Sequence, residues 1–350
     1  MSLLDGYDLR DIHITTICSH TSLQIFHGAK LEGLKTAGIV EVSRKWFYEL
    51  FRNLIDELIV VNSWSELCSI EVIRKLRKLN AVLIPHGSFV EYVGLKCCNE
   101  LPIPMFGLRS LLSVEANQHR KMELLMRAGI PVPKSYGLND EIDKAVIVKL
   151  PGAKGGRGYF IANNSAELLR GVNNIIRSGI VSDTDDILVQ EYVIGAPAYF
   201  HYFYSPILDR VELLGMDIRY ESNVDGLRRL PNALASEVTP TFNVVGNQPL
   251  VLRESLLPTV MEYGIKFVME TKKSLPPGII GPYCLESIIK DDGSIVVFEF
   301  SGRIVAGTNL YIDGSPYSWL YWNEPMSMGR RIAREIRVAI ELGRLSEVVT

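Results

Sequence analysis

VIVKLPGAKGGRGYFIA, residues 146–162, is the stretch from which the rest of the chain can be read. It begins as a buried strand carrying a lysine (Val146, Ile147, Val148, Lys149) and enters a loop with three glycines and two cations (Lys154, Gly155, Gly156, Arg157, Gly158). It resumes as a strand at Tyr159, Phe160 and Ile161. A two-stranded flap with such a tip can close over phosphates. Glycine N–H groups reach an anion with no Cβ in the way, while Lys149, Lys154 and Arg157 supply positive charge. The same composition also suits an ordinary hairpin with a solvated basic tip. The spacing matches neither the phosphate loop G-x-x-x-x-G-K-[ST] nor a G-x-G-x-x-G turn at a helix start.

Outward from the flap, the punctuation is that of an α/β protein. Downstream, residues 165–178 have a helical period, residues 187–193 (ILVQEYV) read as a buried strand, and residues 199–204 (YFHYFY) begin another after a Gly-Pro break. Strand, glycine loop, strand, helix and strand make a compact lid over about residues 134–193. Upstream, short strands at 12–18, 38–43, 57–61 and 81–84 alternate with helical segments such as 66–79, predicting a small Rossmann-like domain over residues 1–113. Two polar turns stand at strand carboxyl ends there. Ser19, His20, Thr21 and Ser22 precede a helical pattern, where hydroxyls cap a helix whose N-terminus also attracts anions. Residues 85–89 put Ser88 in a second such turn. A lone histidine is commonly structural, yet His20 sits where open α/β sheets bind ligands, and Ser88 could face the same crevice. A helix over 113–128, closed by Gly129 and two prolines, leads into a second domain, residues 114–350.

In the last third, residues 211–217 read as a strand, 221–226 as a polar turn, and Gly246 and Asn247 as the lead-in to a helix. Residues 283–289 and 295–300 then flank Asp291, Asp292, Gly293 and Ser294, the strongest hairpin signal in the chain. A two-residue type I′ turn centred on Asp292 and Gly293 pairs Glu286 directly with Glu299. Alternation then puts Glu286 with Ile288, and Glu299 with Val297 and Ile295, leaving Leu285, Ile289, Phe298 and Phe300 for the other face. Two carboxylates roughly 5.5 Å apart among apolar neighbours repel unless a cation sits between them, and hard oxygen ligands suit magnesium. On this reading Glu299→Gln abolishes turnover but leaves the metal-free protein at least as stable. A surface hairpin with two solvated glutamates is the plain alternative.

Composition narrows the classes. The chain has 350 residues, 47% apolar and 22% charged, enough for two or three cores, and a net charge of -3 with both signs interspersed. Neither nucleic acid nor an anionic membrane is an expected partner. The arginine-rich helix at 328–342 alternates with Glu335 and Glu341 and reads as a packing or solvated face. Five cysteines without a zinc-like pair predict reduced thiols in a cytoplasmic protein, and no apolar run reaches the roughly 18 residues of a membrane span.

Lys121 on a helix, VIVK with its glycine loop, the strand VQEYV and the hairpin ending in EFSGR resemble the ATP-grasp superfamily. More closely, CSHTSLQIFHGAKLEG, PHGSFVEYVG, ELLGMDIRYESNVDGL, VVGNQPLVLRESLLP, PPGIIGPYCLES and MSMGRRIAREI resemble the archaeal formate-dependent 5-formaminoimidazole-4-carboxamide ribonucleotide synthetases. The resemblance runs from about residue 12 to 350. It implies an N-terminal Rossmann-like domain followed by an ATP-grasp domain, and a ligase using ATP, formate and aminoimidazole carboxamide ribonucleotide (AICAR), in which formate is phosphorylated and the AICAR amine attacks formyl phosphate. It implies that His20, Ser88 and Asn247 bind AICAR, that Glu221 contacts ATP, and that Glu286 and Glu299 hold Mg2+ or Mn2+. Lys121, Lys149 and the 154–158 loop would hold the nucleotide, with Gln190, Glu191, Tyr192 and Val193 offering main-chain groups to adenine. Arg303 would reach the transferred phosphoryl group, and a homo-oligomer is expected. Ser301 stands where the superfamily often has a metal-binding Asn, and Gly302 where the closer family usually has Ala. Another acceptor, or a nucleotide-binding paralogue without turnover, would differ in whether ADP release requires formate and AICAR together.

Overall fold

The computed structural model describes residues 3–150, 159–179, 181, 184 and 187–350. Three sheets organise them. The first is parallel, β1 (His13–Ile17), β2 (Lys35–Glu41), β3 (Glu57–Val61) and β4 (Ala81–Leu83), in the order β3-β2-β1-β4. β1 is buried along its whole length, as a central parallel strand must be. The expected helix at 66–79 starts later. Trp64–Cys68 is a 3-10 turn, and Ser69, with extended backbone, caps the Ile70–Lys78 helix by accepting the Val72 N–H.

The second sheet falls within residues 134–193, the expected lid: β5 (Ser135–Tyr136), β6 (Val146–Lys149), β7 (Phe160–Ala162) and β8 (Leu188–Glu191), antiparallel in the order β5-β8-β6-β7. The strands flanking the glycine loop pair as expected, Val146 opposite Ala162. The Ser165–Arg177 helix, capped by Asn164, covers them through Leu168 and Val172.

The third and largest sheet is antiparallel, ordered β11-β10-β9-β12-β13, with β9 (Ala196–Ser205), β10 (Arg210–Asn223), β11 (Phe242–Pro249), β12 (Gly281–Ile289) and β13 (Ile295–Ser301). The Leu257–Ser274 helix seals one face, where Phe267 and Val268 meet Tyr202, Tyr283 and Phe300. The other face opens into a cleft. β10 extends to Asn223, into the expected 221–226 turn, so Glu221 lies on a strand and a short helical turn follows at Val224–Leu227. Asn247 sits on β11 opposite Arg219, and the helix expected just after it begins only at Leu257. β11 is a half-exposed edge strand with little apolar alternation, which hid it from a periodicity reading.

Glu286 does face Glu299, but by a different route. Ile289 faces Ile295, the Lys290 N–H donates to Ser294 O (2.9 Å) and the Gly293 N–H to Lys290 O (3.0 Å). The loop is therefore three residues, Asp291 to Gly293. Gly293 at φ 82° makes the left-handed closure, and Asp292 accepts the Ser294 N–H (2.8 Å). That loop alone would slip the register by one residue. A bulge at Phe298 slips it back, so the two irregularities cancel. The bulge also corrects the expected faces: Ile295, Val297 and Phe300 enter the core, while Phe298 and Glu299 both turn to the cleft with Glu286 and Ile288.

The Met328–Glu341 helix, capped by Ser327, crosses the Ser22–Leu31 helix in close contact. A Cβ on Gly28 would lie 2.1 Å from Arg330 N, and one on Gly329 2.3 Å from Gln24 O. Its arginines are a packing face: buried Arg331 bonds Glu212 and Glu335, while Arg330, Arg334 and Arg337 converge on Glu32. Cys68 and Cys97 form a disulfide with Cα atoms 6.0 Å apart, correcting the expectation of five reduced thiols. The fold brings the 3-10 turn against the Leu95–Glu100 helix, a proximity that a sequence separation of 29 does not disclose. Cys18, Cys98 and Cys284 are free and buried.

Candidate active site

A cavity of about 690 Å3 lies between the open face of the large sheet, the lid and the carboxyl end of the parallel sheet. His20, Ser88, Lys149, Gln190, Glu191, Tyr192, Val193, Glu221, Asn247, Glu286, Glu299 and Arg303 all line it. Lys121 stands behind the wall, fully buried, reaching in through its contact with Glu299. Lys154, Gly155, Gly156, Arg157 and Gly158 lie outside the described residues.

At the acidic end each carboxylate already has cations. Lys121 Nζ is hydrogen-bonded to Glu299 Oε1. Lys149, also buried, donates to Phe298 O (2.8 Å), packs over the Phe298 ring and faces Glu299. Burial opposes ionisation of Glu299, but the two lysines overcome it and hold the carboxyl well below the usual range. Burial also brings the Lys149 ammonium down to about 8, against the pull of Glu299. Arg219 bonds Glu286 Oε1 (2.7 Å) and stacks on Tyr199, and the Ser301 hydroxyl donates to the same oxygen (3.1 Å). Removing Glu299 would strand Lys121, so the structure sets a destabilised Glu299→Gln protein against the hairpin's expectation of undiminished stability.

Glu286 Oε2 is buried without a partner among the described residues. Among those residues no group of three or more His, Cys, Asp or Glu is placed to hold a metal ion. Two facing carboxylates, one with a spare oxygen, and a nearby hydroxyl nevertheless fit a hard divalent cation that takes its other ligands from phosphate and water.

β10 presents Asp217, Arg219 and Glu221 to the cavity at alternate positions. Only Glu221 was singled out from the sequence. Its carboxyl is pushed up to about 7 by burial, with Asp225 adding to the effect against Arg219. Asp217 accepts from His201 Nε2 (2.7 Å) and from Asn247 Nδ2 (2.7 Å). Burial works against its ionisation, yet the His201 hydrogen bond leads the contacts that keep the carboxyl below its ordinary range. The signal that could have found Asp217 and Arg219 was the spacing of D-I-R-Y-E, a charge every second residue.

On the parallel-sheet side, His20 stacks on His86 with ring centroids 5.3 Å apart. His86 Nε2 meets Ile17 O (3.0 Å), and the Ser88 N–H donates to His86 Nδ1 (3.3 Å). Burial, with His86, Arg303 and Arg219 nearby, holds the His20 imidazole well below its ordinary value. The expected hydroxyl cap is absent: Thr21 precedes the helix without a side-chain capping bond, while His20 turns the chain at φ 52°. Arg303 is fixed by buried Glu115, which bonds its guanidinium (2.6 Å) and accepts the Gly302 N–H (2.9 Å). In the 190–193 segment, the Glu191 and Tyr192 N–H groups are taken by Lys134 O and Ala145 O, whereas the Val193 N–H has no backbone partner among the described residues.

A family described as a domain of unknown function, DUF1297, matches residues 167–350, and a second, DUF1246, matches residues 14–136. A 5-formaminoimidazole-4-carboxamide-1-(beta)-D-ribofuranosyl 5'-monophosphate synthetase of Ignicoccus hospitalis is 56% identical over 347 residues, 99% of this chain and 98% of the relative. The crystal structure of an IMP biosynthesis protein PurP from Thermococcus kodakaraensis superposes with a TM-score of 0.77 at 34% identity, covering 96% of this chain and all of that one. An ADP complex of purK, an N5-carboxyaminoimidazole ribonucleotide synthetase, gives 0.64 at 13% identity over 93% of this chain and 76% of that one, a likeness of fold alone.

Proposed function

From the premise that this chain belongs to the 5-formaminoimidazole-4-carboxamide ribonucleotide synthetase family and has the ATP-grasp fold of its ligases, we propose that it joins formate to AICAR at the expense of ATP, through formyl phosphate. The observation that carries this is the meeting of Lys149, Arg303 and the Glu286–Glu299 pair with His20, Ser88 and Asn247 around one cavity.

The chemistry runs in two displacements. A formate oxygen attacks the γ-phosphorus of ATP, the bond to the β,γ-bridging oxygen breaks, and ADP leaves. The AICAR amine nitrogen then attacks the formyl carbon, the carbon–oxygen bond to phosphate breaks, and the nitrogen gives up a proton. Negative charge on the moving phosphoryl oxygens is met by Lys149 and Arg303, whose position Glu115 fixes before substrate arrives. Lys154, Gly155, Gly156, Arg157 and Gly158, outside the described residues, are proposed as phosphate contacts. The Val193 N–H and a carbonyl of its segment read the adenine edge, and Glu221 accepts from the ribose hydroxyls. Glu286 and Glu299, with the Ser301 hydroxyl, would hold Mg2+ or Mn2+, which supplies charge neutralisation to the phosphates. Formyl phosphate is a reactive acyl phosphate, so holding it beside the AICAR amine within one cavity serves the second step.

A homo-oligomer is part of the proposal, for which exposed Leu310, Ile312, Trp319 and Leu320 offer apolar side chains. No helix among the described residues is long and apolar enough to cross a membrane. The test is release of ADP and phosphate with formate and AICAR supplied together and singly. Release dependent on both, with formation of the formylated ribonucleotide, is expected; equal release without AICAR would overturn the reading.

A further inference from the structure

Asp217 lies in the cavity wall with both oxygens committed. Oδ1 accepts from His201 Nε2 and Oδ2 from Asn247 Nδ2, each at 2.7 Å, and the Asp217 and His201 side chains are each 1% exposed. The three residues come from adjacent strands, β9, β10 and β11, so the sheet itself sets their spacing. An ionised carboxylate accepts hydrogen bonds and cannot donate them. His201 must therefore donate through Nε2, and Asn247 must turn its NH2 toward Asp217. The opposite end of the half-buried Asn247 amide, Oδ1, is the end left for a ligand.

We propose that Asp217 is a positioning residue for acceptor recognition: by fixing the Asn247 amide it makes that side chain meet the ligand as a hydrogen-bond acceptor. The site then selects a substrate that offers a donor there, an amine N–H or a ribose hydroxyl. This rests on the reading of Asn247 as a contact of the acceptor substrate.

The polarity can be reversed by one atom. In Asp217→Asn, the new amide keeps its Oδ1 for His201 and turns its NH2 toward Asn247. Two NH2 groups cannot face each other, so the Asn247 amide flips and presents NH2 to the ligand's donor. In the exchange Asp217→Asn with Asn247→Asp every bond is restored: the amide at 217 accepts from His201 and donates to the carboxylate at 247, whose other oxygen is again an acceptor facing the cavity.

The experiment measures AICAR binding by calorimetry and the Michaelis constants for AICAR and ATP in the full-length protein. Asn247→Ala and Asp217→Asn should each weaken AICAR roughly 10- to 100-fold, with ATP within about twofold of the parent, and the exchange variant should recover most of the loss. A fold requirement alone would move both substrates together and would not be rescued by the exchange. Parent-like AICAR binding in Asp217→Asn alongside a weak Asn247→Ala overturns the proposal and leaves the site reading standing, as does an exchange variant no better than Asp217→Asn. Unchanged AICAR binding in Asn247→Ala overturns both. If Asp217→Asn does not fold, Asn247→Asp at the half-exposed position sets carboxylate against carboxylate. Its weakened AICAR binding must then be relieved in the exchange variant, or the proposal fails.

Discussion

Glu299→Gln separates the structure from a reading of the hairpin alone. Glu299 is the partner of Lys121, whose side chain is fully buried, and the nearby buried Lys149 also faces it. Taking away the carboxylate leaves an ammonium with no counter-charge in a place water does not reach, and breaking a buried pair from one side typically destabilises by about 3–5 kcal/mol. Spread over 350 residues at about 2.1 cal/mol/K each, that lowers the melting temperature by about 4–7 °C. Differential scanning calorimetry in chelator-treated buffer is the measurement. The same variant should lose nearly all turnover. Lys121→Met combined with Glu299→Gln should melt above Glu299→Gln alone, because replacing both members by uncharged groups removes the stranded charge. A Glu299→Gln protein melting at or above the parent would refute the reasoning, since two repelling carboxylates would then outweigh the lysine pairing.

Three further outcomes are expected. Lys149→Ala should keep its fold but bind ATP roughly 10- to 100-fold more weakly by calorimetry, given the loss of a charged donor to phosphate; parent-like affinity would take Lys149 out of the nucleotide site. Glu221, with its carboxyl raised to about 7 from an ordinary 4.5, holds a proton in the folded protein that the unfolded chain has released. Its share of apo stability is therefore full below about pH 4.5 and is lost as pH rises through 7, and Glu221→Gln should remove that slope in chemical denaturation curves between those limits. Reducing the Cys68–Cys97 disulfide, which closes a loop of sequence separation 29, should lower stability by about 3.5 kcal/mol in a chain-entropy estimate; a melting temperature indifferent to dithiothreitol speaks against the bond.

Local pattern carried the flap and the paired glutamates, since each depends on residues close in sequence. Glu286 and Glu299 met because one hairpin joins them, even though the loop and the Phe298 bulge each broke the simple count. What stayed hidden was whatever one strand borrows from another. Arg219 and Asp217 are ordinary charges in D-I-R until β9, β11 and β12 supply Tyr199, His201, Asn247 and Glu286 around them. Likewise Lys121 was legible as a helix residue, but not as the counter-charge that decides how Glu299 behaves. Glu115 gave no sign at all, because its partner Arg303 is far along the chain.

The seam between the Ser22–Leu31 and Met328–Glu341 helices bears on how the chain assembles as it is made. Gly329 donates to Gln24 across 305 positions of sequence, and Ile25 and Ala29 share one apolar cluster with Met328, Ile332 and Ile336. At roughly 5–20 residues per second a ribosome needs about 15–60 s to deliver the second helix after the first. Through that interval the early layer carries an uncovered greasy stripe and an unpaired Glu32, an aggregation hazard for a nascent chain. Closure of the seam is thus a late, long-range event in folding, and its slow ring closure argues for chaperone shielding of the first hundred residues during synthesis.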